Sequence, residues 1–254
     1  MNTEMYDRLN ETENYHWWFK AKREIVLELA KRYLIPENTV SLRLADVGCG
    51  TGLFLHELEK YGDVDGYDYS EHALEYCKMK CNATLHKLDL GIVASWLMPK
   101  YDVVFALDIL EHIKDDSIAL SNIYRMTKPG GHIIITVPAF QWMWSTNDIN
   151  NMHHRRYSLS DFLKLIDYSG FEIVFSSYYN FWLFLPIAFI RLFSNWLHID
   201  KHSSMEYNSG NGLLNHILYK IFVGEKKHLT KQRSYPFGVS IIAVLEKREN
   251  HEKN

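Results

Sequence analysis

The fold is decided by the stretch Leu42-Arg43-Leu44-Ala45-Asp46-Val47-Gly48-Cys49-Gly50-Thr51-Gly52-Leu53. Its first half is an apolar run with one acid near its end, which predicts a buried strand. The glycines at alternating positions allow a sharp turn and let a ligand approach the backbone, because no Cβ stands in the way. A helix is predicted to follow, with its amino terminus beside the turn. Strand, glycine turn and helix terminus together predict a binding site for a nucleotide-like cofactor.

The composition is that of an ordinary globular protein. The chain has 254 residues, of which 47% are hydrophobic and 23% charged. This is enough for one large α/β domain, or for a domain with an insertion. The net charge of −3 argues against nucleic acid as a partner, since chains that bind nucleic acid carry a basic balance.

Cysteine usage indicates a reducing compartment. The number of cysteines is odd (Cys49, Cys77 and Cys81), and Cys49 lies inside the glycine turn. This usage is typical of reduced thiols in a cytoplasmic protein. Cys77 and Cys81 lie four apart on a predicted helix, and no second Cys or His pair follows at zinc spacing. The polar stretch from Met1 to Asn14 has no apolar signal core.

The rest of the chain alternates between strand-like and helix-like segments. Further strands are predicted at Val64–Asp68, Leu85–Leu88, Tyr101–Leu107, Ile133–Val137, Phe171–Tyr179 and Phe237–Lys247. Helices are predicted at Tyr15–Tyr33 (ended by Pro36), Phe54–Lys60, Ser70–Lys80, from about Asp115 to Lys128-Pro129-Gly130-Gly131, and from Ser158 to Gly170. This alternation predicts an α/β protein with a mostly parallel sheet.

Acids stand at the ends of the second and third strands. Asp68 is well placed to accept hydrogen bonds from both hydroxyls of a ribose. Asp89 can accept from the exocyclic amine of an adenine while Leu90 packs on the ring. The competing interpretations are a solvated acid for Asp68 and an ordinary strand-to-loop turn for Asp89.

An ordered set of motifs runs through roughly residues 40 to 180: Asp46/Gly48/Gly50/Gly52, Asp68, Asp89, Tyr101-Asp102, Asp108-x-x-Glu111-His112 and Lys128-Pro129-Gly130-Gly131. With this set the sequence resembles the class I S-adenosylmethionine (SAM) methyltransferases, in particular the small-molecule type that includes the ubiquinone and menaquinone biosynthesis enzymes. The resemblance implies a Rossmann-like, doubly wound, seven-stranded sheet of order 3-2-1-4-5-7-6 with strand 7 antiparallel. SAM would lie across the ends of strands 1 and 4.

The cofactor-binding residues follow from these motifs. We assign to this role Asp46, Gly48, Cys49, Gly50, Gly52, Asp68, Tyr69, Asp89, Leu90, Leu107 and Asp108. The helix from Tyr15 either packs on the core through its aromatic residues or closes over the cofactor. In the second case Lys22 or Arg23 lies near the cofactor carboxylate, and we assign Arg23.

The loop after the fifth strand is the expected acceptor site, because ligands of open α/β sheets bind at the carboxyl ends of the strands. Trp142, Trp144 and Arg155 are candidate substrate contacts. A hydroxyl acceptor needs its proton removed, and a histidine is the natural base near neutral pH. The catalytic candidates are His153, His154, His112 and Tyr157, with His153 or His154 preferred. The alternative for the two adjacent histidines is a solvated loop.

The turn after the fourth strand carries residue types that bind metals. Asp108, Glu111 and His112 offer oxygen, oxygen and nitrogen ligands on one turn, and some metal-assisted O-methyltransferases have a similar Glu-x-x-Glu-His element. Here the first acid is Asp, one methylene shorter, and we assign no metal.

An insertion separates the last two strands. Residues 181–234 contain the apolar run Phe181–Phe193, with Trp196-Leu197 beyond it, a second amphipathic helix at Leu213–Val223, and a basic group: Lys220, Lys226, Lys227, Lys231 and Arg233. We predict three parts: an N-terminal helical cap (1–36), a methyltransferase domain (37–180 and 235–248) and an inserted helical pair (181–234). The pair could lie on a membrane surface, wall off an apolar substrate pocket, form a dimer interface or simply pack on the domain.

The resulting hypothesis is a SAM-dependent methyltransferase that moves a methyl group in line to a small or lipid-linked acceptor, with oxygen as the expected nucleophile. It predicts a cytoplasmic protein that either stays in solution or lies peripherally at the inner face of the membrane through 181–233. The alternatives are an NAD-dependent oxidoreductase and a non-catalytic SAM-binding protein docked at a membrane. No motif identifies the acceptor or the oligomeric state.

Overall fold

A computed structural model describes residues 3–34, 41–196 and 212–248. The predicted boundary at residues 36/37, Pro36 as a helix end, and Leu197 lie outside these ranges. The division into three domains therefore remains a prediction.

Seven strands form one mixed sheet. They are β1 (Leu42–Val47), β2 (Gly62–Asp68), β3 (Thr84–Lys87), β4 (Tyr101–Leu107), β5 (Thr127–Pro138), β6 (Phe171–Tyr179) and β7 (Ser240–Lys247). Their order is β3-β2-β1-β4-β5-β7-β6. β7 runs antiparallel to both of its neighbours, whereas the other pairs are parallel. The predicted fold class is confirmed.

Ten α-helices lie within the described residues. They are α1 (Thr3–Thr12), α2 (Trp17–Leu34), α3 (Leu53–Leu58), α4 (Glu71–Lys80), α5 (Asp116–Met126), α6 (Thr146–Asn150), α7 (Leu159–Tyr168), α8 (Phe184–Trp196), α9 (Leu213–Val223) and α10 (Lys226–Leu229). Polar side chains fix several starts: Ser70 accepts from the Ala73 amide at the start of α4, and Ser158 accepts from the Asp161 amide at the start of α7. Such caps satisfy amides that a helix start leaves unbonded.

The sheet is covered on both faces, which explains its unbroken apolar strands. On one side β1 and β4 bury Leu44 and Phe105 against α2, α3 and α9. On the other, Val104 and Ile133 pack with α5 and α7. The glycine turn after β1 therefore lies at the edge of a sheet that is packed on both faces.

Two predicted boundaries are wrong by more than two residues. The Lys128-Pro129-Gly130-Gly131 stretch belongs to the start of β5, because Thr127 already pairs with Tyr101 and the register then shifts before Val103. The last strand begins at Ser240 because Phe237 instead packs against Phe181 and Phe184. The sequence analysis does not predict α1, although Met5, Tyr6 and Leu9 recur at helical spacing and Met5 and Tyr6 are buried.

The insertion folds back onto the amino-terminal part of the chain. Asn215 on α9 accepts a hydrogen bond from the Trp17 amide (2.8 Å) and donates to the Tyr15 carbonyl (2.8 Å). Phe222 packs edge-on against the Trp17 ring. α2 and α9 thus form one wall. Within the described residues, no helix combines the length and the apolar character that a bilayer span requires.

Candidate functional site

The glycine turn has the geometry that its sequence predicts. Gly48, Gly50 and Gly52 have φ of +75°, +55° and +86°, a region that side-chain-bearing residues rarely enter. A Cβ on Gly52 would lie 2.9 Å from the Cys77 Cα on α4. The Gly48 and Cys49 amides both donate to the Tyr67 carbonyl. The turn is therefore held between β2 and α4 with its backbone facing the site.

Asp68 lies directly beside this turn. It accepts from the Gly50 amide (2.9 Å), the Ser70 amide (2.9 Å) and the Tyr6 hydroxyl (3.1 Å). Burial raises the pKa of Asp68 above its usual value. Tyr6 belongs to α1, so this helix packs over Asp68 and the glycine turn. Nothing in the sequence around Tyr6 indicates this position.

Two further acids lie at the ends of β1 and β4: Asp46 is buried and Asp108 is partly exposed. Burial raises the pKa of Asp46 to about 7. Asp108, after β4, has φ of +54°. Lys22 Nζ lies 2.6 Å from its Oδ2, and Thr136 donates to its Oδ1 at 2.8 Å. Burial works to raise the pKa of Asp108, but the charge and hydrogen bond of Lys22 outweigh it and hold that pKa below its usual value.

One cavity of about 1010 Å³ joins these groups, at the upper end of the usual size of small-molecule sites. Its wall includes these residues that the sequence assigned: Arg23, Asp46, Gly48, Cys49, Gly50, Asp68, Tyr69, Asp89, Leu90, Leu107, Asp108, His112, His153 and His154. Gly52 lies behind the turn, outside the wall. Arg23 donates to the Glu13 carbonyl and pairs with Glu57 at 3.2 Å, so its guanidinium is held by protein partners.

A carboxylate–histidine cluster forms the far end of the cavity. The ligand-type atoms of Glu111, His112 and His153 lie within 4.8 Å of one another. The rings of His112 and His153 meet edge to face with centroids 4.6 Å apart. Burial raises the pKa of Glu111 well above its usual value and lowers that of His112 to about 3. His112 is therefore neutral at pH 7, and burial disfavours the charged form of Glu111.

This cluster is also where a cation could bind. Glu111 Oε2 and His112 Nδ1 are buried and have no hydrogen-bond partner among the described residues. Asp108, by contrast, has Lys22 and Thr136 on its two oxygens. One carboxylate with two imidazoles suits Zn²⁺, which would act as a Lewis acid, better than Mg²⁺. The assignment of no metal remains a prediction.

Four residues of the loop after β5 do not reach the cavity wall. Arg155 and Tyr157 both bond to Asp116 on α5, at 2.7 and 2.9 Å, which draws them to the other side of the loop. Trp142 packs against Phe140 and is half exposed, and Trp144 is likewise absent from the lining. The two sequence neighbours of Arg155, His154 and Arg156, do line the cavity.

The mouth of the cavity is apolar. It is lined by residues of α2, α8 and α9 and the turn before α8: Trp17, Trp18, Phe19, Leu183, Pro186, Ile187, Ile190, Leu214 and Leu218. The predicted insertion thus supplies part of the site. The cavity wall thus combines the acids and amides around the glycine turn with a group of apolar side chains.

Comparisons with known proteins agree with this geometry. A family model described as a methyltransferase domain matches residues 16–175. A ubiquinone biosynthesis O-methyltransferase of Alkalilimnicola ehrlichii is 33% identical over 100 residues, which is 37% of this chain and 40% of that protein. One of Pectobacterium carotovorum is 28% identical over 138 residues, which is 47% of this chain and 55% of that protein. The chain thus spans about half the length of these curated relatives or less.

Solved structures resemble the whole fold. The [4+2]-cyclase SpnF aligns with a TM-score of 0.57 at 16% identity, covering 92% of this chain and 83% of that one. Phosphoethanolamine N-methyltransferase 2 of Haemonchus contortus, solved with S-adenosyl-L-methionine, aligns with a TM-score of 0.56 at 20% identity, covering 88% and 52%. At such identities the likeness shows the fold alone.

The family match covers the glycine turn, Asp68 and the cluster after β4. It confirms the predictions of a methyltransferase domain and of SAM as its cofactor, in preference to an NAD-dependent oxidoreductase. The chain belongs to the methyltransferase-domain family.

Proposed function

We propose that the protein transfers the methyl group of SAM to an oxygen of a small or lipid-linked acceptor. The observation that carries the proposal is the single cavity that connects the glycine turn and Asp68 with the cluster around His153. The relatives named as ubiquinone biosynthesis O-methyltransferases support an oxygen nucleophile. The apolar mouth supports an acceptor with an apolar part.

SAM supplies an activated methyl group when it is bound. The glycine turn, Asp68 and Asp89 would hold its nucleoside. The remaining task of the protein is to align the acceptor in line, to exclude water and to remove the acceptor proton. His153 is our candidate base. Its side chain lines the cavity, and its ring is anchored through Nδ1, which lies 3.0 Å from Asp148 Oδ1.

The test compares two adjacent histidines. We expect His153→Gln to lower kcat by about 100-fold or more, the usual contribution of a general base, with an unchanged Kd for SAM. His154→Gln is the matched control, and we expect less than about a threefold effect on kcat. Titration calorimetry gives the Kd, and radiolabelled SAM with phenolic and catecholic acceptors gives the rate. Equal rates for wild type and His153→Gln would refute the assignment, and NAD binding without SAM binding would refute the function.

We propose further that the apolar mouth contacts a membrane surface. Large apolar side chains are exposed on α8, on α9 and just before α8: Trp182, Leu185, Phe189, Ile190, Leu192, Phe193, Leu213, Leu214, Ile217 and Ile221. An apolar face bordered by lysines is typical of proteins that lie on anionic bilayers. An acceptor could then enter the cavity from the bilayer.

Vesicle co-sedimentation tests the contact. We expect wild type to pellet with anionic phosphatidylglycerol vesicles and Phe189→Glu to remain in the supernatant. Tyr168→Glu on α7 is the matched control, since Tyr168 is 89% exposed and lies outside the insertion. If Phe189→Glu pellets as the control does, the surface is not the membrane contact.

A further inference from the structure

A buried carboxylate lies behind the candidate base. Asp148, on the short helix α6, is fully buried. Its Oδ1 lies 3.0 Å from His153 Nδ1 and accepts from Arg156 Nε (2.7 Å), and its Oδ2 accepts from the amide and hydroxyl of Ser145 (2.8 and 3.0 Å). The sequence pattern Ser145-x-x-Asp148 indicates the capping box of α6, but not the contact with His153.

Cations hold this carboxylate in its charged form. Burial alone would raise the pKa of Asp148, but the hydrogen bond from His153 and the charges of Arg156 and Arg191 outweigh it and keep the pKa well below its usual value. Arg191 comes from α8, lies 3.9 Å from Oδ2 and donates to the Met143 carbonyl (3.1 Å). The inserted helix therefore contributes a charge to the site.

An ionised carboxylate can accept hydrogen bonds but cannot donate them. The hydrogen between Asp148 and His153 must therefore sit on Nδ1 of the histidine. In the neutral ring the lone pair is then on Nε2, the nitrogen left to face the cavity. The His153 amide also donates to the Asp148 carbonyl at 2.9 Å, so one residue holds both the backbone and the ring of His153.

We infer that Asp148 is a positioning residue that fixes the tautomer and orientation of His153, so that Nε2 can accept the proton of the acceptor. The inference rests on the proposed function for its catalytic meaning, but the tautomer itself exists without any substrate. Arg156 and Arg191 act through Asp148 in this arrangement, by keeping it ionised. Asp148 does not touch the reacting atoms.

The first measurement is the tautomer in the unmodified protein. Protein labelled with ¹⁵N in histidine is examined by long-range ¹H–¹⁵N correlation at pH 8, and His153 is identified by its loss from the His153→Gln spectrum. We expect the neutral ring to carry its hydrogen on Nδ1. A ring with hydrogen on Nε2 would overturn the inference. This readout needs no activity, so it stands even if the proposed methyl transfer fails.

The second measurement separates positioning from a merely structural role. Asp148→Ala is expected to lose the fixed tautomer and to lower kcat by about 100-fold, with KM and the Kd for SAM within about twofold. Ser145→Ala is the matched control, because it removes a different hydrogen bond to the same carboxylate and is expected to leave both tautomer and kcat unchanged. Asp148→Glu keeps the charge and is expected to recover part of kcat. If Asp148→Ala retains the Nδ1–H tautomer, or if both alanine variants lower kcat equally, the inference is wrong. Should Asp148→Ala not fold, the spectrum of the unmodified protein still decides it.

Discussion

The pair of Lys22 and Asp108 offers the most direct test of the site's electrostatics. Lys22 Nζ lies 2.6 Å from Asp108 Oδ2, and the two side chains are 11% and 27% exposed. We expect Lys22→Met to destabilise the protein, because it keeps the length of the side chain but leaves a largely buried carboxylate without its cation. Asp108 would retain one hydrogen bond, from Thr136 at 2.8 Å.

The size of the effect follows from this geometry. Removing one partner of a buried ion pair costs about 3–5 kcal/mol. The remaining hydrogen bond and the partial exposure of Asp108 to the cavity reduce this to about 2–3 kcal/mol in the free energy of unfolding. For a chain of this size the expected loss in Tm is about 5–10 °C.

The effect should depend on pH with a definite sign. In the wild type the folded-state pKa of Asp108 is below its usual value of 3.8, so the pair stabilises the fold above that pH and loses its contribution as the pH falls through the folded-state pKa. Without Lys22, burial raises the pKa of Asp108 instead. The charged form then destabilises the variant at pH 8, and protonation relieves this on acidification, so the deficit narrows towards pH 5.

Urea unfolding at pH 8 and pH 5 measures this difference. The control is the double variant Lys22→Met/Asp108→Asn, in which no charge is left unpaired. Asn tolerates the positive φ of this position and should restore most of the stability. A loss below about 0.5 kcal/mol for Lys22→Met, within the range of an ordinary surface substitution, or an equal loss at both pH values would refute the reasoning.

Three further predictions concern the cofactor turn and the cluster. Asp68→Asn should weaken SAM binding by about 10- to 150-fold, the cost of a hydrogen bond to a charged group; an unchanged Kd by calorimetry would remove Asp68 from the ribose site. Gly52→Ala should lower the free energy of unfolding in urea by about 2 kcal/mol or more, because of its left-handed φ and the Cβ contact 2.9 Å from Cys77; a wild-type midpoint would contradict this. Methyl transfer should survive EDTA, since burial raises the pKa of Glu111 well above its usual value and so disfavours the charged form that binds a metal; a rate that falls and is restored by Zn²⁺ would show that the cluster with His112 holds a metal.

The geometry of the glycine turn and of Asp68 beside it could be predicted from the sequence because it is local. Gly48 and Gly50 are defined by backbone conformation, and Asp68 by the end of the neighbouring strand. In a parallel sheet the carboxyl ends of adjacent strands meet at one edge, so order along the chain translates directly into proximity. Ser70 and Ser158 cap their helices for the same reason: partners three residues apart meet whatever the tertiary structure.

The contacts of the loop after β5 could not be predicted in the same way, because they join segments that are distant in the sequence. His153 was recognised as a histidine on a loop, but its partner Asp148 is recognisable in sequence only as a capping residue. Arg155 and Tyr157 were expected at the acceptor, yet Asp116 on α5 draws both away. In an irregular loop no period tells which side chain faces inward.

The insertion reaches Asp108 through its neighbour α2 and contacts Asp148 directly. α9 packs along α2, whose Lys22 holds Asp108 after β4, while α8 carries Arg191 to within 3.9 Å of Asp148 in the loop after β5. Packing on the domain alone does not account for Arg191, whose side chain is 11% exposed and which also donates to the Met143 carbonyl of that loop. Because the same α8 exposes Phe189 and Leu185 on its outer face, a surface that binds those side chains would act on the helix that also orders the acceptor site. Vesicle binding and methyl transfer are therefore expected to respond together: anionic vesicles should raise kcat of the wild type and leave kcat of Phe189→Glu unchanged.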